Sequence, residues 1–379
     1  SSSLLRLLQR GYHLFLIFMQ RPLYIADHSD RLLCPLPLKC EPYSGCSGGC
    51  AYCSRSGLRD AHRVKGPEAN SYRYIEKFFF HNKKRMETEL IKRRMPIQIG
   101  INSDPLQPIE KVHRVTLRTL KLLQDREYPA ILTTKYPNQM TEPTYTRAID
   151  ALPLVVQCSV STEDPVLLSR LEPGAPPPRE RLEALETLHD AGAHVMIRLA
   201  PYAPDLVGDV ESLLVRARDA GVRVVQVGPL KIYHANGSRQ RLNSALGYDY
   251  LQATQLAYEN CGIFSAITLA EQKSHIEQLE RAAAELGMEV LTCDDVTGNR
   301  AWRCCCGTDG LEDFEAIAEW AYFVNGHRIN DHCSFDEYMR GHDCPWHVEF
   351  EQEWNSGKLE RALPELVFNQ DDKTYTRMW

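Results

Sequence analysis

Between residues 96 and 230 the chain alternates short, almost wholly apolar runs with longer segments in which apolar residues return every three or four positions. The short runs are "PIQIGIN" (96–102), "AILTTK" (130–135), "LVVQCSVS" (154–161), "HVMIRLA" (194–200) and "RVVQVGPL" (223–230). Each predicts a strand buried on both faces. The segments that follow, "IEKVHRVTLRTLKLLQD", "TYTRAIDAL", "PRERLEALETLHDAG", "DVESLLVRARDAG" and "YDYLQATQLAYEN", predict helices. In the first of them Val112, Val115, Leu117, Leu120 and Leu123 fall mostly on one helical face. Gly192 and Gly221 read as C-terminal caps that release the chain into the next strand. βα repeated five times predicts a parallel sheet covered by helices on both sides, in a full or partial barrel. In such folds the chemistry gathers at the carboxyl ends of the strands.

Past about residue 285 the rhythm changes to one strand-like run, a cysteine-rich loop, an apolar-faced helix ("FEAIAEWAYFV") and a polar, Pro-interrupted tail. The expected organisation is an N-terminal extension (1–31), a barrel (32–285) and a Cys-rich C-terminal region (286–379). The apolar run at 12–19 is too short to cross a bilayer and predicts a packed helix, so no membrane association is expected.

A chain of 379 residues with 43% hydrophobic content can bury a large core. Its net charge of −6 argues against wholesale capture by nucleic acid, which leaves "HNKKRMETELIKRR" (81–94) as the candidate basic face. As a bare charge run that segment is an ordinary solvated helix. Thirteen cysteines, an odd count in a chain large enough to do without disulfide staples, point to metal binding or catalysis in a reducing cytoplasm.

Three of them stand in "GCSGGCAYCSRS": Cys46, Cys50 and Cys53. Three thiolates on one tight loop can hold three corners of a [4Fe–4S] cubane and leave the fourth iron open, with small residues letting the backbone wrap closely. A zinc site normally closes with four ligands, and Cys34 or Cys40 lies near enough in sequence to supply one. Packed free cysteines are the third reading.

The Cys-x3-Cys-x2-Cys spacing with an aromatic residue, Tyr52, before the last cysteine resembles the signature of radical S-adenosylmethionine (radical SAM) enzymes. "NSDPLQPIEK", "LTTKYP", "CSVSTEDP", "RLEPGAPPPRERLEAL" and "AGAHVMIRLAPYAPD" follow in the order of the spore photoproduct lyase-like branch, so the resemblance covers roughly residues 32 to 235. It implies an α/β fold, a partial (β/α)6 TIM-like barrel of the radical SAM type with a Cys-rich C-terminal extension. It implies a [4Fe–4S] cluster whose open iron chelates S-adenosylmethionine, and an electron that cleaves the cofactor to a 5′-deoxyadenosyl radical.

The companions take roles by position under that resemblance. Ser103 and Asp104 would accept hydrogen bonds from the SAM ammonium, and Lys135 would pair with its carboxylate. Ser159 and Ser161 share one face of their strand, Arg198 would reach the ribose or carboxylate, and Tyr52 would pack beside adenine or the cluster. Each also has an ordinary reading: a turn at Asp104-Pro105, a solvated lysine, packed serines.

A second group, Cys293, Cys304, Cys305 and Cys306, with Cys333, Cys344, His327, His332, His342 and His347 farther on, is open to three uses. It can complete an auxiliary iron–sulfur or zinc site through Cys293, return a hydrogen atom to a product radical through one of Cys304, Cys305 and Cys306, or serve structure. The branch favours a nucleotide or DNA substrate, with lyase, repair or isomerase-type base modification such as thymidine hypermodification as the expected chemistry. Salt-dependent binding would then involve 81–94 and aromatics such as Trp302 or Trp346. The electron donor would be of flavodoxin or ferredoxin type. Two alternatives stand beside this: the same chemistry on a peptide or small molecule, and a non-enzymatic zinc-stabilised binding module.

Overall fold

Strands with apolar side chains on both faces need cover on both sides, and parallel neighbours need a crossover long enough to hold a helix. The computed structural model of the chain, which describes residues 22–25, 36, 38–53, 66–80, 86–92, 94–234, 237–261, 264–292, 305–308, 365–369 and 374–378, meets both demands. Eight strands lie side by side in chain order: β1 (Leu23–Ile25), β2 (Leu38–Cys40), β3 (Ile97–Ile99), β4 (Ala130–Thr134), β5 (Leu154–Ser159), β6 (His194–Tyr202), β7 (Val224–Pro229) and β8 (Glu289–Thr292). β1 runs antiparallel to β2; every later pair is parallel. The fold is therefore mixed α/β around a mainly parallel sheet, and all five strands expected from the apolar runs are present.

The crossovers carry α1 (Val115–Gln124), α2 (Pro143–Ile149), α3 (Pro178–Asp190), α4 (Val210–Asp219) and α5 (Leu269–Glu285). Leu120 and Leu123 of α1, Leu185 and Leu188 of α3 and Leu213 and Leu214 of α4 are fully buried with Leu132, Val156, Ile197 and Val225 of the sheet in one core. Each such side chain contributes about 1.5–3 kcal/mol relative to exposure. Gly192 and Gly221 end α3 and α4 with φ of 93° and 86°, as their positions predict.

The other face of the sheet mixes apolar residues, Ile131, Val155 and Met196, with polar ones. Thr133 donates to Gln157 Oε1 (2.7 Å), and the Gln157 amide reaches the Met196 sulfur at 3.5 Å. By strand alternation Lys135, Ser159, Arg198 and Gln226 belong to this same face.

Two expected helices differ. The segment from Ile109 breaks at Arg114, whose left-handed φ of 51° separates a single turn (Glu110–His113) from α1 and leaves Val112 77% exposed. The break lets the buried Glu110 carboxylate accept the amides of Thr116 (3.0 Å) and Leu117 (2.9 Å) and cap α1. In "YDYLQATQLAYEN" only Tyr250–Ala253 is helical, and Tyr258–Asn260 is a strand paired with Phe264–Ile267. Thr254 turns its hydroxyl to Asp205 (2.7 Å) and to the Leu256 amide (3.2 Å), which ends the helix. The Tyr250 and Tyr258 rings then meet edge-on at 5.8 Å. The covering helix after β7 is α5 instead.

Both expected boundaries fall inside the sheet: β1 lies before residue 32 and β8 lies beyond residue 285. The run at 12–19, the segment at 314–324 and residues 81–85 and 93 of the basic stretch lie outside the described residues. Among the described residues no helix is long and apolar enough to cross a membrane.

Candidate functional site

The cysteine loop follows β2 and is tied down on three sides through backbone groups. Gln107 accepts the Ser47 amide (2.8 Å) and donates to the Gly45 carbonyl (2.9 Å). The loop before α3 approaches from another side, with Ala51 N–H to Leu171 O at 2.8 Å and Gly174 N–H to Gly48 O at 3.3 Å. Arg241 donates to the Cys53 carbonyl at 3.1 Å. Gly174 leaves room for this: a Cβ there would stand 3.1 Å from the carbonyls of both Ser47 and Gly48.

Cys46 is exposed, while Cys50 and Cys53 are half-buried. Burial pushes the Cys50 thiol up to about 12, against the pull of the Lys135 ammonium. A Cβ on Gly48 would lie 3.5 Å from Cys46 Sγ, 3.7 Å from Cys50 Sγ and 3.6 Å from the Tyr136 hydroxyl, so these three groups converge on one spot. That hydroxyl is buried and has no hydrogen-bond partner among the described residues. A buried orphan donor beside two sulfurs fits a sulfur-rich group seated on the loop. Among the described residues no three His, Cys, Asp or Glu side chains gather as a single metal ion would require. A cubane instead takes each thiolate on a different iron.

Beside the loop lies a buried charge cluster centred on Glu172, which is 1% exposed. Its Oε1 accepts from the Tyr52 hydroxyl, from Ser161 Oγ (2.5 Å) and from Lys135 Nζ (3.3 Å), and its Oε2 accepts from Arg181 Nη2 (2.6 Å). Burial alone would raise this carboxyl; Lys135, Arg181 and the two hydroxyls outweigh it and hold the group down at about 2. Arg181 also donates to the carbonyls of Ser159 (2.6 Å) and Pro176 (2.8 Å). The Lys135 ammonium sits 5.5 Å from the centre of the Tyr52 ring. A small apolar cavity of about 10 Å³ lies next to this cluster, lined by Tyr52, Ser161, Leu171, Pro201, Leu206 and Leu230 among others.

Tyr52, Lys135 and Ser161 thus meet around one carboxylate. Arg198, paired in register with Ser159, keeps a buried Nε with no hydrogen-bond partner among the described residues. Ser103 and Asp104 are instead turned into the fold. Ser103 Oγ bonds the Tyr43 carbonyl (2.7 Å) and Glu41 (3.1 Å). Asp104 accepts from Thr134 (2.7 Å), the Lys135 amide (2.7 Å) and the Leu106 amide (3.0 Å), and burial raises its pKa. Asp104 therefore braces the backbone under Lys135.

Cys305 and Cys306 are buried and face strand amides: Gln226 Nε2 to Cys305 Sγ and Gln98 Nε2 to Cys306 Sγ, each 3.9 Å. Gly307 follows them, with room for no more than 3.0 Å between a Cβ and the Met196 sulfur. Cys293, Cys304, Cys333 and Cys344, the four histidines, Trp302, Trp346 and Cys34 lie outside the described residues.

Glu172, Arg181, Tyr136 and Gln107 were not singled out by sequence reading. The first two stand inside "RLEPGAPPPRERLEAL", where they are two of six charged residues and look like ordinary helix-flanking charge.

No family model matches the chain. It is 27% identical over 285 residues to a curated protein of Pseudomonas phage M6 named "Radical SAM Nalpha-GlyT isomerase", a match covering 69% of this chain and 56% of that protein. The chain thus spans about half the length of the curated relative it matches. Among solved structures it overlaps spore photoproduct lyase complexed with dinucleoside spore photoproduct, at 12% identity and a TM-score of 0.49, over 71% of this chain and 79% of that one. It also overlaps Streptococcus suis SuiB bound to precursor peptide SuiA, at 13% identity and a TM-score of 0.38, over 58% of this chain and 47% of that one.

Proposed function

We propose that this chain, a relative of radical SAM enzymes by its similarity to the phage protein, is itself a radical SAM enzyme of isomerase or lyase type. The observation that carries the reading is the convergence of Cys46, Cys50 and the orphan Tyr136 hydroxyl on one spot, with Lys135, Tyr52 and Ser161 gathered beside it. Cys46, Cys50 and Cys53 would hold a [4Fe–4S] cluster, which, once reduced by an external one-electron donor and with S-adenosylmethionine bound, would supply a carbon-centred radical for hydrogen abstraction. The chain's own contribution is placement. Lys135 offers an ammonium to a carboxylate, Tyr52 an aromatic face, Arg198 an uncommitted Nε, and the apolar cavity lining excludes water.

For the architecture we infer a partial barrel. Six parallel strand pairs in chain order, the last five joined by the crossover helices α1 to α5, and a partly polar second face support that reading. The Cys-rich region would extend it at the C-terminal end, Cys305 and Cys306 reaching back into the interior. An auxiliary metal site there would draw on Cys293 and Cys304.

For the substrate we infer a nucleobase or nucleotide carrying an amino-acid-like substituent. The relative's name joins isomerisation to a group written Nalpha-GlyT, which supports rearrangement over simple cleavage. A peptide is the second reading.

Anaerobic reconstitution with iron and sulfide tests the assignment. The expected product is a brown protein holding about four irons per loop that releases 5′-deoxyadenosine from S-adenosylmethionine on reduction. A colourless protein with stoichiometric zinc would contradict it. Deuterated nucleosides and peptides offered in parallel identify the substrate by which one labels the 5′-deoxyadenosine.

A further inference from the structure

Lysine is a poor fixed reference point. Its ammonium rides on a flexible four-carbon stem, and a lone cation at a sheet edge samples many positions. Lys135 is held from two ends. Asp104 accepts its backbone amide at 2.7 Å, and Glu172 accepts its ammonium at 3.3 Å. The same Glu172 oxygen takes the hydroxyls of Tyr52, from the cysteine loop, and Ser161, from beyond β5. Arg181 locks the other oxygen while donating to the carbonyls of Ser159 and Pro176. One carboxylate therefore fixes three side chains from three separate segments, 37, 120 and 11 residues distant in sequence, the last two being the separations of its bonds to Tyr52 and Ser161.

The charge balance also has a direction. Lys135 and Arg181 face a single carboxylate at bonding distance, and Asp104 forms no ion pair with either cation. Arg181 is fully enclosed, with its bonds directed at Glu172 and main-chain carbonyls, whereas the Lys135 side chain keeps 15% exposure. The remaining positive charge is thus carried by Lys135, whose ammonium lies 5.5 Å from the centre of the Tyr52 ring. An ammonium with three donors, one directed at Glu172, can receive an anionic ligand group without breaking that bond.

We propose that Glu172 is the positioning residue of the cofactor site, acting through Lys135 to hold the carboxylate end of the adenosyl ligand. This inference rests on the radical SAM reading. A buried ion-pair hub with a purely structural role would weaken every ligand alike; a hub acting through Lys135 weakens only ligands that carry the carboxylate.

Two probes separate these cases: S-adenosylhomocysteine, which carries the amino-acid carboxylate, and 5′-methylthioadenosine, which lacks it. Calorimetric titration into reconstituted wild type, Glu172→Gln, Lys135→Met and the double variant is the experiment. Expected is a loss of about tenfold or more in S-adenosylhomocysteine affinity for each single variant, the size of a charge-assisted hydrogen bond. Methylthioadenosine affinity should change by less than about threefold, and the double variant should be no weaker than Lys135→Met alone. Equal losses on both ligands, or losses that add in the double variant, overturn the inference while leaving the enzyme reading intact. A wild-type protein that binds neither probe overturns both. Should Glu172→Gln fail to fold by circular dichroism, Glu172→Gln combined with Arg181→Gln removes both buried charges and carries the same expectation.

Discussion

Cys50→Ala is expected to abolish S-adenosylmethionine cleavage, a fall of at least about a thousandfold, while leaving the sheet folded. The two consequences separate because the loop is held by its main chain. The bonds from Ala51 N–H to Leu171 O, from Cys53 N–H to Cys50 O and from Gly174 N–H to Gly48 O all survive truncation of one sulfur. The Cys50 thiol is half-buried, so losing it should move stability by no more than about 1 kcal/mol. Two thiolates retain a cubane poorly, and iron content after reconstitution should fall with the activity. Full activity in this variant, measured by 5′-deoxyadenosine release, would remove Cys50 from the cluster.

The largest stability effect is expected at Gly100→Ala, just past β3. Gly100 has a φ of 82°, and a Cβ there would stand 2.3 Å from Pro105 Cδ, 2.6 Å from Pro105 Cγ and 2.9 Å from the Thr133 carbonyl. A proline ring cannot rotate aside and a strand carbonyl cannot yield without breaking the β4 pairing, so the loop 101–105 must move. Overlap and backbone strain together should cost about 3–5 kcal/mol. The displacement would also carry Asp104 away from the amide of Lys135. Gly192→Ala is the control: its φ is also positive, at 93°, but nothing lies within 4 Å of its Cβ, and about 1 kcal/mol is expected. Urea unfolding of the two variants beside wild type measures both. Equal midpoints would refute the packing argument.

Much of this was legible in the chain. Near-continuous Val, Ile and Leu runs reveal parallel strands because burial on both faces keeps most positions apolar, and Cys46, Cys50 and Cys53 declare themselves by spacing. What remained hidden depends on pairing across distance. β1 reads as three apolar residues without context, and its antiparallel place beside β2 follows only from the register Leu23 to Cys40. Helical periodicity between Tyr250 and Tyr258 lost to tertiary contacts at Asp205 and Thr254. Asp104 and Ser103 stand at the expected strand end, yet three donors turn the first inward and Glu41 and the Tyr43 carbonyl hold the second. Glu172 is the counterpart, unremarkable in sequence because its partners arrive from other segments.

The proposed occupant of the loop is an iron–sulfur cluster with one iron left for the cofactor. Electron paramagnetic resonance of the reconstituted, dithionite-reduced protein tests it most directly, with spectra recorded before and after S-adenosylmethionine is added. A reduced-cluster signal whose g values shift on addition is the result this account predicts. A spectrum that stays unchanged at saturating cofactor, with all four irons capped by the protein, would contradict it.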